Sequence, residues 1–271
     1  MTVVAAASLA PADLVALFNE GFSDYLIALR LDEAALADHV RANDIDLRIS
    51  PIVVTDRPVA FVLVGRRGTD AWIGGMATVP QARRRGLGEQ AMRSALTTAA
   101  AVGCSAVWLE VIDRNRAAVG LYGRLGFERV RDLAVWSLAA TGAAPPAAKA
   151  IDARRAQAWI AEHRRDPEPW QRADPALEHL RAGGAPLEGL ALERSGAIAG
   201  ALVHRPTGRA TSVLQVAAID EPAAADLLLA AAGGQALQLT NVPEDAPVSR
   251  VLAQLGAEAV ARQHEMLLRL G

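Results

Sequence analysis

The chain is nearly empty of lysine and cysteine. Lys149 is the only lysine, so the basic charge rests on arginine, and Cys104 is the only cysteine. A single cysteine excludes an internal disulfide framework and a multi-cysteine zinc site. Set in the apolar stretch VGCSAVWLEV, Cys104 reads as a small buried residue rather than a nucleophile. Net charge is also lacking. The 28 Lys+Arg against 30 Asp+Glu leave -2, which gives no general attraction to nucleic acid or to an anionic membrane. Any anion site must come from a local cluster. No segment reaches the roughly 18 apolar residues that a membrane span needs. The start, MTVVAAASLAPADL, has no basic n-region of a secretion signal. The five histidines, His39, His163, His179, His204 and His264, follow no metal-ligand spacing such as HExxH, so no metal is expected. These absences lead to the expectation of a cytoplasmic protein with no membrane, nucleic-acid or metal partner.

What the chain does have is apolar residues, 52% of 271, enough for one large domain or two of about 100–150 residues each. The stretch AATGAAPPAAKA, residues 139–150, combines Gly142 with Pro145 and Pro146 and suits a connector better than an element interior. It divides the chain into 1–138 and 151–271. The first part reads as mixed α/β. Leu14, Leu17 and Phe18 fall at helical spacing, and Asp32 is placed to cap a second helix. LRISPIVV, PVAFVLVGR and AWIGGMATV read as strands. Helix, strand (SAVWLEV), helix (NRAAVGLYGRLG) and a final stretch of one or two strands (FERVRDLAVWSL) follow. The second part repeats this order. At an offset of 130 residues AVWLEV lies on ALQLTN and RLGFERV on QLGAEAV, which reads as a duplicated domain.

Two constellations in the first part carry chemistry. VPQARRRGLGEQ sets Arg83, Arg84 and Arg85 before Gly86, Leu87 and Gly88, between a strand and a helix. Unpaired N–H groups at a helix start and the helix dipole favour an anion there, and glycines let the backbone approach closely. No Gly-Lys-Ser/Thr follows, so this is not a nucleotide P-loop. Taken alone, a solvated charge run fits the pattern equally well. The second stretch, LEVIDRNRAAVGLYGRLGFE, puts Glu110 near a strand end, Asn115 at a helix start and Tyr122 two turns into that helix. Tyr122 also lies on a core-face stripe with Ala118, Leu121 and Leu125, and Asn115 also suits a simple helix cap.

RRRGLGEQAM followed by LEVIDRNRAAVGLYGRLGFE resembles the GNAT superfamily of acyl-CoA-dependent N-acetyltransferases, and within it the branch that acetylates protein N-termini, including ribosomal-protein alanine acetyltransferases. The resemblance covers most of residues 14–138. It departs from the usual Gln of Q-x-x-G-x-G, where Arg83 stands. It implies two tandem GNAT-like α/β (α+β) domains, each a mixed, mostly antiparallel central sheet flanked by helices. It implies acetyl-CoA as co-substrate and transfer to a primary amine, on a small molecule or a protein N-terminus. Met76, Ala77 and Thr78 would offer backbone groups to the acetyl and pantetheine part. Arg83 would also bind the cofactor, Arg84, Arg85, Gly86, Leu87, Gly88 and Glu89 would surround the pyrophosphate, and Asn115 would bond the pantetheine or a nearby backbone. Tyr122 would protonate the leaving thiolate, and Glu110 would act as general base. Phe22 and Tyr25, after the first helix, would line the acceptor pocket. An acyl-CoA-binding sensor and a partner-binding module remain as alternative readings.

In the second part the same alignment lays Thr240 on Glu110, Asp245 on Asn115 and Leu252 on Tyr122. Asp220, Glu221 and Asp226 cluster where the phosphate-seat helix would begin. Residues 151–271 are therefore expected to keep the fold and bind no acetyl-CoA.

Overall fold

Residues 59–64, VAFVLV, are buried without a break, so the strand that holds them is covered on both faces. A computed structural model of the chain describes residues 1–27, 29–140, 148–208 and 210–271. In chain order the first elements are β1 (Thr2–Ala5), α1 (Pro11–Gly21), α2 (Glu33–Ala42), β2 (Pro51–Val54) and β3 (Pro58–Arg67). They are followed by β4 (Asp70–Thr78), α3 (Leu87–Ala101), β5 (Ala106–Ile112), α4 (Arg116–Arg124) and β6 (Glu128–Leu138). Then come β7 (Lys149–Ile151), α5 (Ala153–His163), α6 (Asp174–Ala182), β8 (Glu188–Arg194) and β9 (Ala197–Pro206). The chain ends with β10 (Ala210–Ala218), α7 (Glu221–Ala232), β11 (Ala236–Pro243), α8 (Pro247–Gln254) and β12 (Glu258–Arg269). Among the described residues no helix is long and apolar enough to cross a membrane.

The chain forms two compact units that do not follow the sequence boundaries 1–138 and 151–271. One comprises Met1–Val130 with His264–Gly271, the other Arg131–Gln263. The strand after α4 thus passes mostly to the second unit, and the last residues of the chain return to the first. FERVRDLAVWSL forms one strand. Two strands lie where the sequence reading had none: β1 in the apolar start, paired antiparallel with β2, and β7, whose Lys149 and Ala150 lie inside the expected connector. Both gain an edge partner, which three- and four-residue strands need in order to persist. Residues 141–147 of that connector lie outside the described residues.

In the first unit β1, β2, β3 and β4 pair antiparallel in sequence, and β5 joins β4 in parallel. Beyond β5 lie the last residues of β12, with Leu270 N–H donating to Ser105 O at 2.8 Å. Helix α1 packs on β3 and β4, and α3 on β2, β3 and β4. Asp32 caps α2 as its sequence position suggests, Oδ1 accepting from Ala35 N–H at 2.8 Å.

The second unit repeats the layout. β7, β8, β9 and β10 are antiparallel, β11 joins β10 in parallel, and β6 lies antiparallel to β11. The repeat is not at one offset. β3 and β9 begin 139 residues apart and β4 and β10 140 apart, whereas β5 and β11 begin 130 apart. The shortening falls between β10 and β11, the interval that in the first unit holds the Arg/Gly turn.

Candidate active site

Strands β4 and β5 of the first unit stay in register only from Asp70↔Ala106 to Ile73↔Leu109. The next residue on β4, Gly74, sits at a bulge against β3, where the register shifts between Leu63 and Val64. The next on β5 is Glu110. The strands fork at this point, and past it Met76, Ala77 and Thr78 carry β4 towards the Arg/Gly turn.

That turn delivers helix α3 with an open N-terminus. Gly86 caps it at φ 76 and ψ -2, a left-handed conformation that suits glycine, with no side chain bonded to the helix start. The first bond of the helix runs from Gln90 N–H to Gly86 O, so the N–H groups of Leu87, Gly88 and Glu89 have no acceptor within the helix. A Cβ on Gly86 would meet nothing within 4 Å. At Gly88 it would lie 2.8 Å from Thr78 Oγ1 and 3.0 Å from Met76 Cε, so the absent side chain is what lets the helix approach the strand. Open N–H groups, a dipole and a cradle that a side chain would fill suit a diphosphate. Arg84, at φ 58, and Arg85 are exposed beside it.

Arg83 is used differently. It donates to both carboxylate oxygens of Asp24 at 2.7 Å, to Gly21 O at 3.1 Å and to Thr78 O at 3.0 Å. Its side chain ties the end of β4 to the segment after α1. The same ion pair holds the Asp24 carboxyl below its ordinary range. The Glu89 side chain is drawn back along α3 by Arg93, at 2.8 Å.

Tyr122 is buried and donates to Met76 Sδ at 3.4 Å, so α4 reaches back to β4. Its ring lies 5.8 Å from that of Phe127. Burial, with a smaller contribution from neighbouring Tyr25, holds the phenol far above its ordinary value. Tyr25 is half-buried and is raised by burial, with nearby Asn115 opposing. Asn115 also caps α4, Oδ1 accepting from Ala118 N–H at 3.2 Å. Tyr25, Asn115, Tyr122 and Met76, read from three separate stretches, therefore lie near one another, with Tyr122 bonded to Met76. Phe22 is buried among rings, 4.7 Å from Phe18, 5.0 Å from Tyr25 and 6.0 Å from Phe61, so it supports Tyr25 from the core.

Glu110 is half-buried, and its Oε2 accepts from Trp72 Nε1–H at 2.7 Å across the fork. Sequence reasoning missed Trp72, His39 and Asp24. They act through contacts distant in sequence (38 residues for Trp72 and Glu110), and no local pattern encodes such pairs.

The equivalent fork in the second unit is bridged. β10 and β11 stay in register from Ala210↔Ala236 to Val213↔Leu239. Arg172 then donates to Thr240 O at 3.2 Å, Gln215 to Arg172 O at 2.7 Å and Asn241 to Gln171 Oε1 at 3.2 Å. At the start of α7 the side chain of Asp220 accepts from Ala223 N–H at 2.7 Å, closing a helix start that its counterpart α3 leaves without a side-chain cap. Leu252, opposite Tyr122 in the repeat, is wholly buried. Among the described residues no group of three or more His, Cys, Asp or Glu is placed to hold a metal ion.

Residues 13–127 match the model of the acetyltransferase (GNAT) family. No curated protein matches the sequence. Among solved structures, a GCN5-related N-acetyltransferase from Sphaerobacter thermophilus has a TM-score of 0.74 at 16% identity, covering 100% of this chain and 96% of that one. A protein described as a putative acetyltransferase from Pyrococcus horikoshii has a TM-score of 0.68 at 15% identity, covering 100% and 89%. A tandem GNAT protein from the clavulanic acid biosynthesis pathway has 0.66 at 16%, covering 100% and 98%. At these identities the structures establish the fold, and the family match over residues 13–127 supports acyl transfer as the class of chemistry. Residues 13–127, less than half of the chain, match the acetyltransferase (GNAT) family model, and over its whole length the chain has the fold of tandem GNAT proteins.

Proposed function

We propose that the first unit transfers the acetyl group of acetyl-CoA to a primary amine, and that the second unit carries no cofactor. The observation that supports this most strongly is the fork between β4 and β5, with the open start of α3 on one side and the Tyr122 hydroxyl against Met76 on the other. In this reading the pyrophosphate is held by the N–H groups of Leu87, Gly88 and Glu89, with Arg84 and Arg85 adding charge. The acetyl and pantetheine part runs along Met76, Ala77 and Thr78. N–H groups of that strand meet the oxyanion that develops when an amine attacks the thioester carbonyl. Asn115 holds the pantetheine, and Tyr25 borders the acceptor.

The proton inventory fits direct attack. An α-amine near pKa 8 needs modest help to lose its proton at neutral pH. Glu110, fixed by Trp72, takes that proton directly or through water. Tyr122 keeps its own proton throughout the working range because burial disfavours the phenolate. A thioether is a weak acceptor. The hydroxyl is therefore held loosely in the resting protein and passes readily to a departing thiolate, which binds it better. The acceptor is an amine on a small molecule or a protein N-terminus.

Release of free thiol from acetyl-CoA in the presence of an amine panel tests the reading. Wild type is expected to turn over, and Tyr122→Phe to lose roughly 10²-fold or more in kcat while acetyl-CoA affinity stays nearly unchanged. A Phe variant with wild-type turnover would make Tyr122 a core residue and place the acid elsewhere.

A further inference from the structure

The catalytic roles above leave a half-buried histidine beside the fork without a task. His39, on α2, directs Nε2 at the carbonyl of Gly74 at 3.0 Å. Its other nitrogen, Nδ1, lies 3.2 Å from the Asn43 amide nitrogen. An amide N–H can only donate, so Nδ1 accepts and Nε2 carries the proton given to Gly74. Asn43 is itself fixed, donating to His39 O at 3.0 Å. The carbonyl that receives this bond lies at the β4 bulge, in the first residue after β4 and β5 part. The bulge has no slack. A Cβ on Gly74 would fall 2.4 Å from Trp72 Cζ3 and 3.1 Å from Ile45 Cδ1. Trp72, whose ring centroid lies 6.3 Å from that of His39, also orients Glu110.

We propose that His39 is a positioning residue for acyl transfer. Its Nε2–H bond to Gly74 pins the β4 bulge, and the pinned bulge aims both the Met76–Thr78 backbone and, through Trp72, the Glu110 carboxylate. The inference rests on the transfer reading above for its kinetic consequence, though not for the hold itself. A bulge re-aims the residues that follow it, and a fixed carbonyl sets where the next N–H groups point. Errors of about 1 Å in such a constellation cost on the order of 10²-fold in rate. His39 touches neither the acetyl group nor the pyrophosphate seat, so its loss falls on kcat and spares cofactor binding.

Two substitutions separate the hold from simple packing. His39→Phe keeps a ring and removes the donor. His39→Gln places an amide N–H near the position of Nε2. The His39→Phe protein is expected to lose about tenfold or more in kcat, with acetyl-CoA Kd within about threefold by calorimetry. Hydrogen exchange in the peptide covering residues 72–79 should speed up about fivefold, as when one bond is lost. His39→Gln should recover most of both effects. Wild-type kcat or wild-type exchange in the Phe variant, or a Gln variant no better than Phe, would overturn the proposal. If His39→Phe does not fold, His39→Asn replaces it, because its shorter side chain leaves the amide out of reach of Gly74. If wild type releases no thiol with any amine, the transfer reading fails, and the exchange experiment still decides whether His39 holds the bulge.

Discussion

Burial sets the proton behaviour of Tyr122 and of His39. Tyr122 is raised, so it stays neutral, and His39 is lowered below its ordinary value of 6.5, so it also stays neutral. For His39 the sign follows from linkage. The unfolded chain binds a proton near pH 6.5 and the folded one binds it less readily, so stability is present above about pH 6.5 and is lost as pH falls through the lowered folded value. His204 is also lowered by burial, with Glu188 opposing, and contributes in the same direction. Wild type should therefore show a lower thermal midpoint at pH 5.5 than at 7.5, and His39→Gln a smaller drop. Equal acid sensitivity in both proteins would contradict this. At this scale the sequence was informative where residues share a motif. Glu110, Asn115 and Tyr122 sit within one strand–turn–helix stretch, in which Tyr122 reaches Met76 and Asn115 lies near Tyr25. His39 and Trp72 had no such signal, because their partners are a backbone carbonyl and a carboxylate brought near only by the fold.

Two helix starts with the same place in the repeat behave in opposite ways. Helix α3 is capped by a left-handed glycine and leaves its N–H groups open, whereas α7 is closed by its own Asp220 carboxylate. Gly86→Asp should turn the first into a likeness of the second. The new carboxylate would compete with the pyrophosphate and add left-handed backbone strain of about 1–2 kcal/mol. Gly88→Asp would act differently, pushing Thr78 and Met76 off the strand end. Calorimetry on folded variants should find acetyl-CoA affinity reduced strongly in both, and unchanged affinity in both would remove the phosphate seat from the account. The helices and most strands were readable from periodicity, caps and turn residues. β1 and β7 were not, because strands of four and three residues exist only through their edge partners.

Across the whole molecule, chain order and compact units part company. The first unit closes with residues from the end of the chain, where Met266 is buried in its core and Leu268 and Leu270 pack against it. Met266→Ala should thus destabilise the first unit, by about 2–5 kcal/mol as for other large-to-small core changes. Denaturation followed by acetyl-CoA binding would detect it, and no loss of stability would argue against this closure. Duplication was legible from two anchors at one offset. The crossing of the last strands was not, because a strand pattern records which face is apolar and not which sheet it joins. The central claim is one working site per chain, in the first unit. Titration of the full-length protein with acetyl-CoA tests it most directly. One molecule bound per chain, lost in Gly86→Asp, is the predicted result, and no binding, two equivalent sites, or binding that survives in Gly86→Asp would contradict it.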